Sequence, residues 1–306
     1  MIHTTASMFL EIREVVKKYA SKTAVDHISL NIPSGVIYGI LGPNGAGKTS
    51  LIRMITGITA PDSGSIQFDG APFTLKDQHR IGYMPEERGL YKKMKVGEQL
   101  IYLLQLKGMR FKDASAAADY WMKRMDISAW KNKKVSELSK GMQQKIQFIV
   151  TIAHSPALLI LDEPFSGLDP LNSRMVEEVI HELKNQGSTI LFSTHRMEQV
   201  EQLCDEIALI NQGKVVLSGN VTEIRNGYRR QLYDLILEGD TAFLSEIPEV
   251  KIMNRQDNKI RVELLQGYST RTFIDVINQK CEILKFEQHL PSLSDIFIQV
   301  VTQKNG

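Results

Sequence analysis

The chain is 306 residues long, with 37 basic against 35 acidic side chains and a formal net charge of +2. A composition of 42% hydrophobic and 24% charged residues supports a sizeable buried core. It excludes disorder as the main state and argues against a nucleic-acid binder driven by phosphate neutralisation. Cys204 and Cys281 lie far apart without metal-ligand spacing, so neither a disulfide scaffold nor a cysteine metal site is indicated.

Residues 1–7, MIHTTAS, read as an optional extension ahead of Met8. Segments 9–16 and 24–32 alternate or carry β-branched residues beside the turn signals Ser21, Pro33, Ser34 and Gly35, which predicts strands. An apolar run at 36–41 leads into a glycine-rich stretch, after which Leu51, Met54, Ile55 and Ile58 recur at helical spacing. That is strand, loop, helix. Between 96 and 155 the periodicity predicts helices at 96–107, 114–125 and 142–153, broken at Gly108, Asp126 and 136–141, and hence a helical subdomain. The most apolar long stretch, 148–161, is interrupted by His154, Ser155 and Pro156 and runs into Asp162 and Glu163. The chain is therefore expected not to cross a bilayer itself.

Short apolar runs at 158–162, 189–194 and 206–210 alternate with helical segments at 172–184 and 196–203, and 214–219 closes a hairpin at Gln212 and Gly213. This alternation predicts an α/β fold with a mainly parallel sheet covered on both faces. Past Asn226 and Gly227 the pattern restarts with strands at 231–237, 250–254, 259–264 and 283–287 and helices at 240–247, 269–280 and 292–301, a small α+β domain. Ser292 and Asp295 form a capping-box start for the last helix. The expected division is 8–226 and 227–306.

Gly42-Pro-Asn-Gly-Ala-Gly-Lys48-Thr49 fits the phosphate-loop pattern G-x-x-x-x-G-K-[ST] at every fixed position, between a predicted strand and a predicted helix. Glycines let successive N–H groups converge on phosphate, and the following helix presents its unpaired N–H groups and positive dipole end. Gly42, Asn44, Gly45, Gly47, Lys48, Thr49 and Ser50 are the candidate ATP-binding residues, with Lys48 for the β- and γ-phosphates and the Thr49 hydroxyl for Mg²⁺. Carboxylate partners belong at the carboxyl end of another core strand. LLILDEP supplies Asp162 for Mg²⁺ and Glu163 as general base, the alternative being two acids that cap a strand end beside Pro164.

At this point the chain resembles the nucleotide-binding subunits of ABC transporters over about residues 9–226. Leu138-Ser139-Lys140-Gly141-Met142-Gln143-Gln144 is similar to the family's signature segment, and Ser166-Gly167-Leu168-Asp169 to its D-loop. His195, ending TILFST, matches the switch histidine, and Tyr19 the aromatic that stacks on adenine. The resemblance implies a P-loop NTPase of ABC type with an antiparallel β subdomain and a helical subdomain. It also implies a head-to-tail homodimer or heterodimer in which Ser139 and Gly141 contact the γ-phosphate held by the other subunit, with Asp169 beside them. Without the resemblance, 136–141 reads as a loop and helix cap, and Tyr19 as strand packing.

Lys140 and Met142 depart from the family's usual glycine and glutamine, and Glu86 stands where a glutamine commonly contacts Mg²⁺ and the attacking water. Glu86 is retained as a catalytic and metal candidate, with a charge that alters the site's electrostatics. The segment from Glu86 through Arg88, Gly89, Leu90 and Tyr91, with the helices after it, is the implied permease surface. Leu100, Tyr102, Leu103 and Leu106 favour helical core, leaving their exposed subset for docking.

The 289–301 tail, HLPSLSDIFIQVV, resembles the end of a small C-terminal domain in a bacterial exporter-type subfamily that includes ATPases for sodium and antibiotic extrusion. The whole implies an ATPase at the cytoplasmic face of a membrane, peripheral, without a lipid anchor or nucleic-acid partner, powering export through a separate integral membrane permease. A soluble ABC-type ATPase acting on ribosomes, nucleic acid or a protein is the alternative.

Overall fold

A computed structural model describes residues 8–20, 22–87, 89–265 and 267–304. The extension 1–7, the turn residue Ser21 and Arg88 of the expected permease surface lie outside them. Its contacts form two compact units, one reaching Val221 and including residues from Val300 on, the other spanning Thr222–Gln299.

The first unit begins with two long antiparallel strands, β1 (Met8–Tyr19) and β2 (Lys22–Pro33). Leu10, Ile12, Val25, Ile28 and Leu30 alternate inward, and a register shift at Glu14, whose φ is +48°, returns Val15 to the buried face. The chain then enters β3 (Ile37–Leu41), every residue of which is buried, as a strand covered on both faces requires. After the glycine loop comes α1 (Lys48–Ile55). Next, β4 (Ser63–Phe68) and β5 (Ala71–Pro72) join the first pair in a sheet of order β2-β1-β4-β5. β6 (Ile81–Met84) precedes three helices, α2 (Val96–Leu106), α3 (Phe111–Arg124) and α4 (Lys140–Ile152). In α2, Leu100 is buried and Leu103 half-buried, whereas Tyr102 and Leu106 are exposed.

The central sheet is completed by β7 (Leu158–Asp162), α5 (Pro170–Asn185), β8 (Thr189–Thr194), α6 (Met197–Leu203), β9 (Glu206–Asn211) and β10 (Lys214–Asn220). Its order is β10-β9-β3-β8-β7-β6, parallel except for the β9–β10 hairpin, which turns at Gln212 and Gly213 with φ of +50° and +79°. The parallel strands end on one edge, which places the residues after β3, β6, β7 and β8 together.

Helix α7 (Val221–Gly227) leads to the second unit's β11 (Leu232–Glu238), β12 (Val250–Gln256), β13 (Lys259–Leu264), α8 (Thr270–Asn278) and β14 (Glu282–Gln288), and α9 (Leu293–Lys304) ends the described chain. The antiparallel order β12-β13-β11-β14 is that of a split β-α-β-β-α-β motif. Tyr233, Leu235, Leu237, Ile260 and Val262 form its core with Leu244, Phe273 and Ile277. The first helical position departs from expectation: 240–247 forms only a 3₁₀ segment, Ala242–Glu246. Pro248 disfavours helical geometry at Ile247, and too few residues remain for a stable α-helix. Among the described residues no helix is long and apolar enough to cross a membrane.

Candidate nucleotide site

Two positions of the loop after β3 require glycine on steric grounds. Gly42 has φ +147°, and a Cβ there would lie 2.1 Å from the Ile210 carbonyl oxygen. Gly47 has φ +111°, with a Cβ position 2.2 Å from the Ala24 oxygen. Gly47 is also the N-cap of α1 and makes no side-chain cap, so the helix start is left to backbone N–H groups. This is a cradle that fits an anionic phosphate chain.

The cradle forms one wall of a cavity of about 440 Å³. Asn44, Gly45, Gly47, Lys48, Thr49 and Ser50 line the cavity from the loop and α1, and Glu86, Asp162, Glu163 and His195 line it from the ends of β6, β7 and β8. Lys48 Nζ donates to the carbonyls of Gly42 at 2.8 Å and Pro43 at 3.2 Å, which holds the ammonium at the loop mouth. Burial pulls the Lys48 pKa down, against the opposing pull of Asp162, Glu163 and Glu86. Asp162, only 4% exposed at the end of β7, has its pKa raised by burial and further by Glu86 and Glu163, with Lys48 acting the other way.

Glu163 follows with φ +51°, its N–H donating to the Ser193 carbonyl of β8 at 2.9 Å. This turn points the carboxylate at the end of β8. There it accepts from the His195 N–H at 2.9 Å, from the Thr194 hydroxyl at 3.2 Å, and from His195 Nδ1 at 2.6 Å. With the imidazole neutral, donation from Nδ1 leaves Nε2 as the free acceptor. The Thr49 hydroxyl, Glu86 and Asp162 offer hard oxygen ligands to the same space, the donor type Mg²⁺ takes when phosphate oxygens complete its shell.

The other expected site residues are not among those lining this cavity. Gly42 meets it through its carbonyl, which accepts from Lys48. Tyr19 ends β1, 42% exposed, paired with the cavity residue Lys22, and Lys17 Nζ is 5.8 Å from its ring centre. The Ser139 hydroxyl caps α4, accepting from the Met142 N–H at 3.3 Å. Gly141 backs onto the D-loop, where a Cβ would come 2.7 Å from the Gly167 oxygen. Asp169 is exposed and caps α5, accepting from Asn172 N–H at 2.9 Å and Nδ2 at 2.6 Å, and these bonds lower its pKa. Ser139, Gly141 and Asp169 are thus absent from the cavity's lining, with Gly141 held against the D-loop.

Sequence reasoning missed Lys22 and Ala24, which line the cavity from β2. It also missed two amides of α4. Gln144 Nε2 donates to the Pro164 carbonyl at 3.0 Å and to that of Glu163 at 3.4 Å, and Gln147 Nε2 donates to Pro85 at 2.9 Å. Each thus grips the backbone beside a cavity carboxylate. The available signal was the i,i+3 spacing of two amides on one face of a predicted helix.

The ABC transporter family matches residues 25–166, and the family described as ATP-binding protein DrrA1-3-like, C-terminal domain, matches 219–301. The chain is 43% identical over 292 residues to the ABC transporter ATP-binding protein YhaQ of Bacillus subtilis, covering 95% of this chain and 98% of that one. It is 31% identical over 304 residues to the bacitracin transport ATP-binding protein BcrA of Bacillus licheniformis, covering 96% and 98%. A solved structure of an ATP-binding subunit of an ABC transporter superposes with a TM-score of 0.67 at 28% identity, covering 72% of this chain and 93% of that one. With the phosphate cradle, the paired acids and these relatives in agreement, the chain belongs to the ABC transporter ATP-binding proteins, as a P-loop ATPase subunit with a small C-terminal domain.

Proposed function

We propose that the chain binds Mg-ATP in the cavity between the glycine loop and the end of β7, hydrolyses it within a head-to-tail pair of ATPase subunits, and so drives export through a separate membrane permease. The observation that carries this reading is the Glu163 carboxylate, fixed by three donors from Thr194 and His195 in the cavity that Lys48 also lines.

Bound Mg-ATP supplies the phosphoryl group for transfer to water and the cation that neutralises its charge. Lys48 and the loop N–H groups hold the phosphates, while Thr49 and Asp162, with Glu86 beside them, hold the cation. Glu163 accepts the water's proton, a contribution typically of 10²–10⁴-fold. His195 positions Glu163 through its backbone N–H and Nδ1. Tyr19, at the rim beside Lys22, stacks on the base. The 139–141 start of a second copy's α4, exposed at Ser139 and Lys140, would close over the bound nucleotide, with Asp169 near that edge.

The export assignment rests on the bacitracin transport relative and the DrrA1-3-like C-terminal match. The exposed Leu106 of α2, beyond the Glu86 bend, is an apolar group for a permease to contact. Peripheral placement at the cytoplasmic face follows from that partner.

Glu163→Gln keeps the shape of the side chain and removes both base and charge. Size-exclusion chromatography of this variant in Mg-ATP should show a stable dimer, with phosphate release reduced at least about 10²-fold. A persistent monomer at saturating Mg-ATP would sink the proposal.

A further inference from the structure

The net charge of +2 conceals an uneven surface. Lys92, Lys93 and Lys95, beyond the Glu86 bend, are exposed, and so are Lys131, Lys133 and Lys134 between α3 and α4. Backbone bonds lay these segments side by side. The Val96 and Gly97 N–H groups donate to Lys133 and Lys131 at 3.0 Å each, Val135 N–H to Met94 at 3.0 Å, and Ser136 N–H to Lys92 at 2.9 Å. Lys95 and Lys134 face one another as an antiparallel bridge pair. Lys131 has Asp119 at 2.5 Å and Lys95 has Glu98 at 3.7 Å. Among the described residues, Lys92, Lys93, Lys133 and Lys134 form no ion pair.

Like charges set opposite each other on paired backbones destabilise a fold. Glu98 offsets part of that repulsion at Lys95, whereas Lys92, Lys93, Lys133 and Lys134 have no acidic partner among the described residues, and an external anionic surface would supply one. The ammonium groups are point charges on flexible stems, suited to a diffuse field of negative charge rather than to one fixed bidentate partner. Beside them stand Tyr91 and Tyr102, half-exposed, with ring centres 6.0 Å apart and edge to face. A groove of about 360 Å³ lined by Ile101, Tyr102 and Phe111 runs between Lys95 and Lys131. Clustered lysines bordered by amphipathic aromatic rings are the chemistry of a membrane-water interface.

We propose that this lysine edge binds the anionic headgroup surface of a lipid bilayer, adding a direct contact with the leaflet to the subunit's hold on its permease. The inference rests on the reading of the chain as a peripheral membrane subunit, but its test needs no permease.

The full chain is sedimented with vesicles of equal parts phosphatidylglycerol and phosphatidylcholine, and with vesicles of phosphatidylcholine alone. Binding is expected only to the anionic vesicles. It should weaken with salt, as the screening length falls from about 10 Å at 0.1 M to about 3 Å at 1 M. Each lysine near such a surface strengthens binding about fivefold. The combined K92Q, K93Q, K133Q and K134Q variant should therefore bind at least about tenfold more weakly, even if the contributions add poorly. The charge-matched K76Q, K251Q, K259Q and K280Q variant, with substitutions scattered over exposed sites, should bind as the wild type does. Mg-ATP binding measured on the same samples should be unchanged in both, which separates this edge from the nucleotide site. Absence of binding to anionic vesicles, or equal weakening in both variants, would overturn the proposal. So would tight, salt-sensitive binding to nucleic acid with no preference for the vesicles.

Discussion

Asp162 is buried at a strand end with two further carboxylates nearby, and its raised pKa means that the folded chain binds a proton there more tightly than the unfolded chain does. Its contribution to stability therefore improves as pH falls through the raised value and levels off below the ordinary carboxylate range. At neutral pH without nucleotide, Asp162→Asn should melt higher than the wild type, and a gain of about 1 kcal/mol would move the midpoint by about 2–4 °C. That advantage should shrink as pH is lowered. Adding Mg-ATP should reverse the order, because only the wild type gains full binding energy. A variant that melts lower than the wild type in buffer alone would show that burial is not the dominant effect on this carboxylate. Lys48, Asp162 and Glu163 were legible in the sequence because each sits at a fixed offset from a glycine pattern or an apolar run. The bond from His195 to Glu163 was not, since it joins residues 32 apart in sequence across adjacent strands. Lys22 was equally hidden: no local pattern separates a strand-end lysine facing a cavity from one facing solvent.

At the scale of elements, α4 connects the parts of the site. Its N-terminus carries Ser139 and Gly141, Gln144 grips the backbone at Glu163 and Pro164, and Gln147 grips Pro85 beside Glu86. We expect Gln147→Leu to leave the Pro85 carbonyl without its donor, at a cost of about 1–3 kcal/mol in stability. Turnover should fall more than ATP affinity, because the loop carrying Glu86 loses its tether while Lys48 and the glycine loop keep theirs. Gln147→Glu, similar in shape but presenting an acceptor to an acceptor, should do at least as badly. Unchanged melting and unchanged kcat in both variants would remove Gln147 from the account. Strands 158–162, 189–194 and 259–264 were legible to the residue, being dense apolar or alternating runs between turn residues. β4, with only Ile66 and Phe68 apolar in SGSIQF, carried too weak a pattern to be read, and pairing with β1 forms it. The β12-β13-β11-β14 order was likewise invisible, since strand neighbours far apart in sequence are chosen by core packing.

For the whole molecule, the decisive feature is that the cavity holding the phosphate cradle is lined by none of Ser139, Gly141 and Asp169. Both motifs were legible in the sequence, but not that the cavity's lining includes only the first of them. In a head-to-tail pair each nucleotide would touch the loop of one copy and the helix start of the other. Lys48→Ala cripples the first element and Ser139→Arg the second, the latter losing also a helix cap worth about 1 kcal/mol. Each variant alone should release almost no phosphate from Mg-ATP, because every site in its homodimer is defective. In an equimolar mixture the heterodimer pairs one intact loop with one intact helix start, and hydrolysis should return. If Ser139→Arg alone hydrolyses ATP as fast as the wild type, or if mixing restores nothing while both variants remain folded, the site is not shared between two copies.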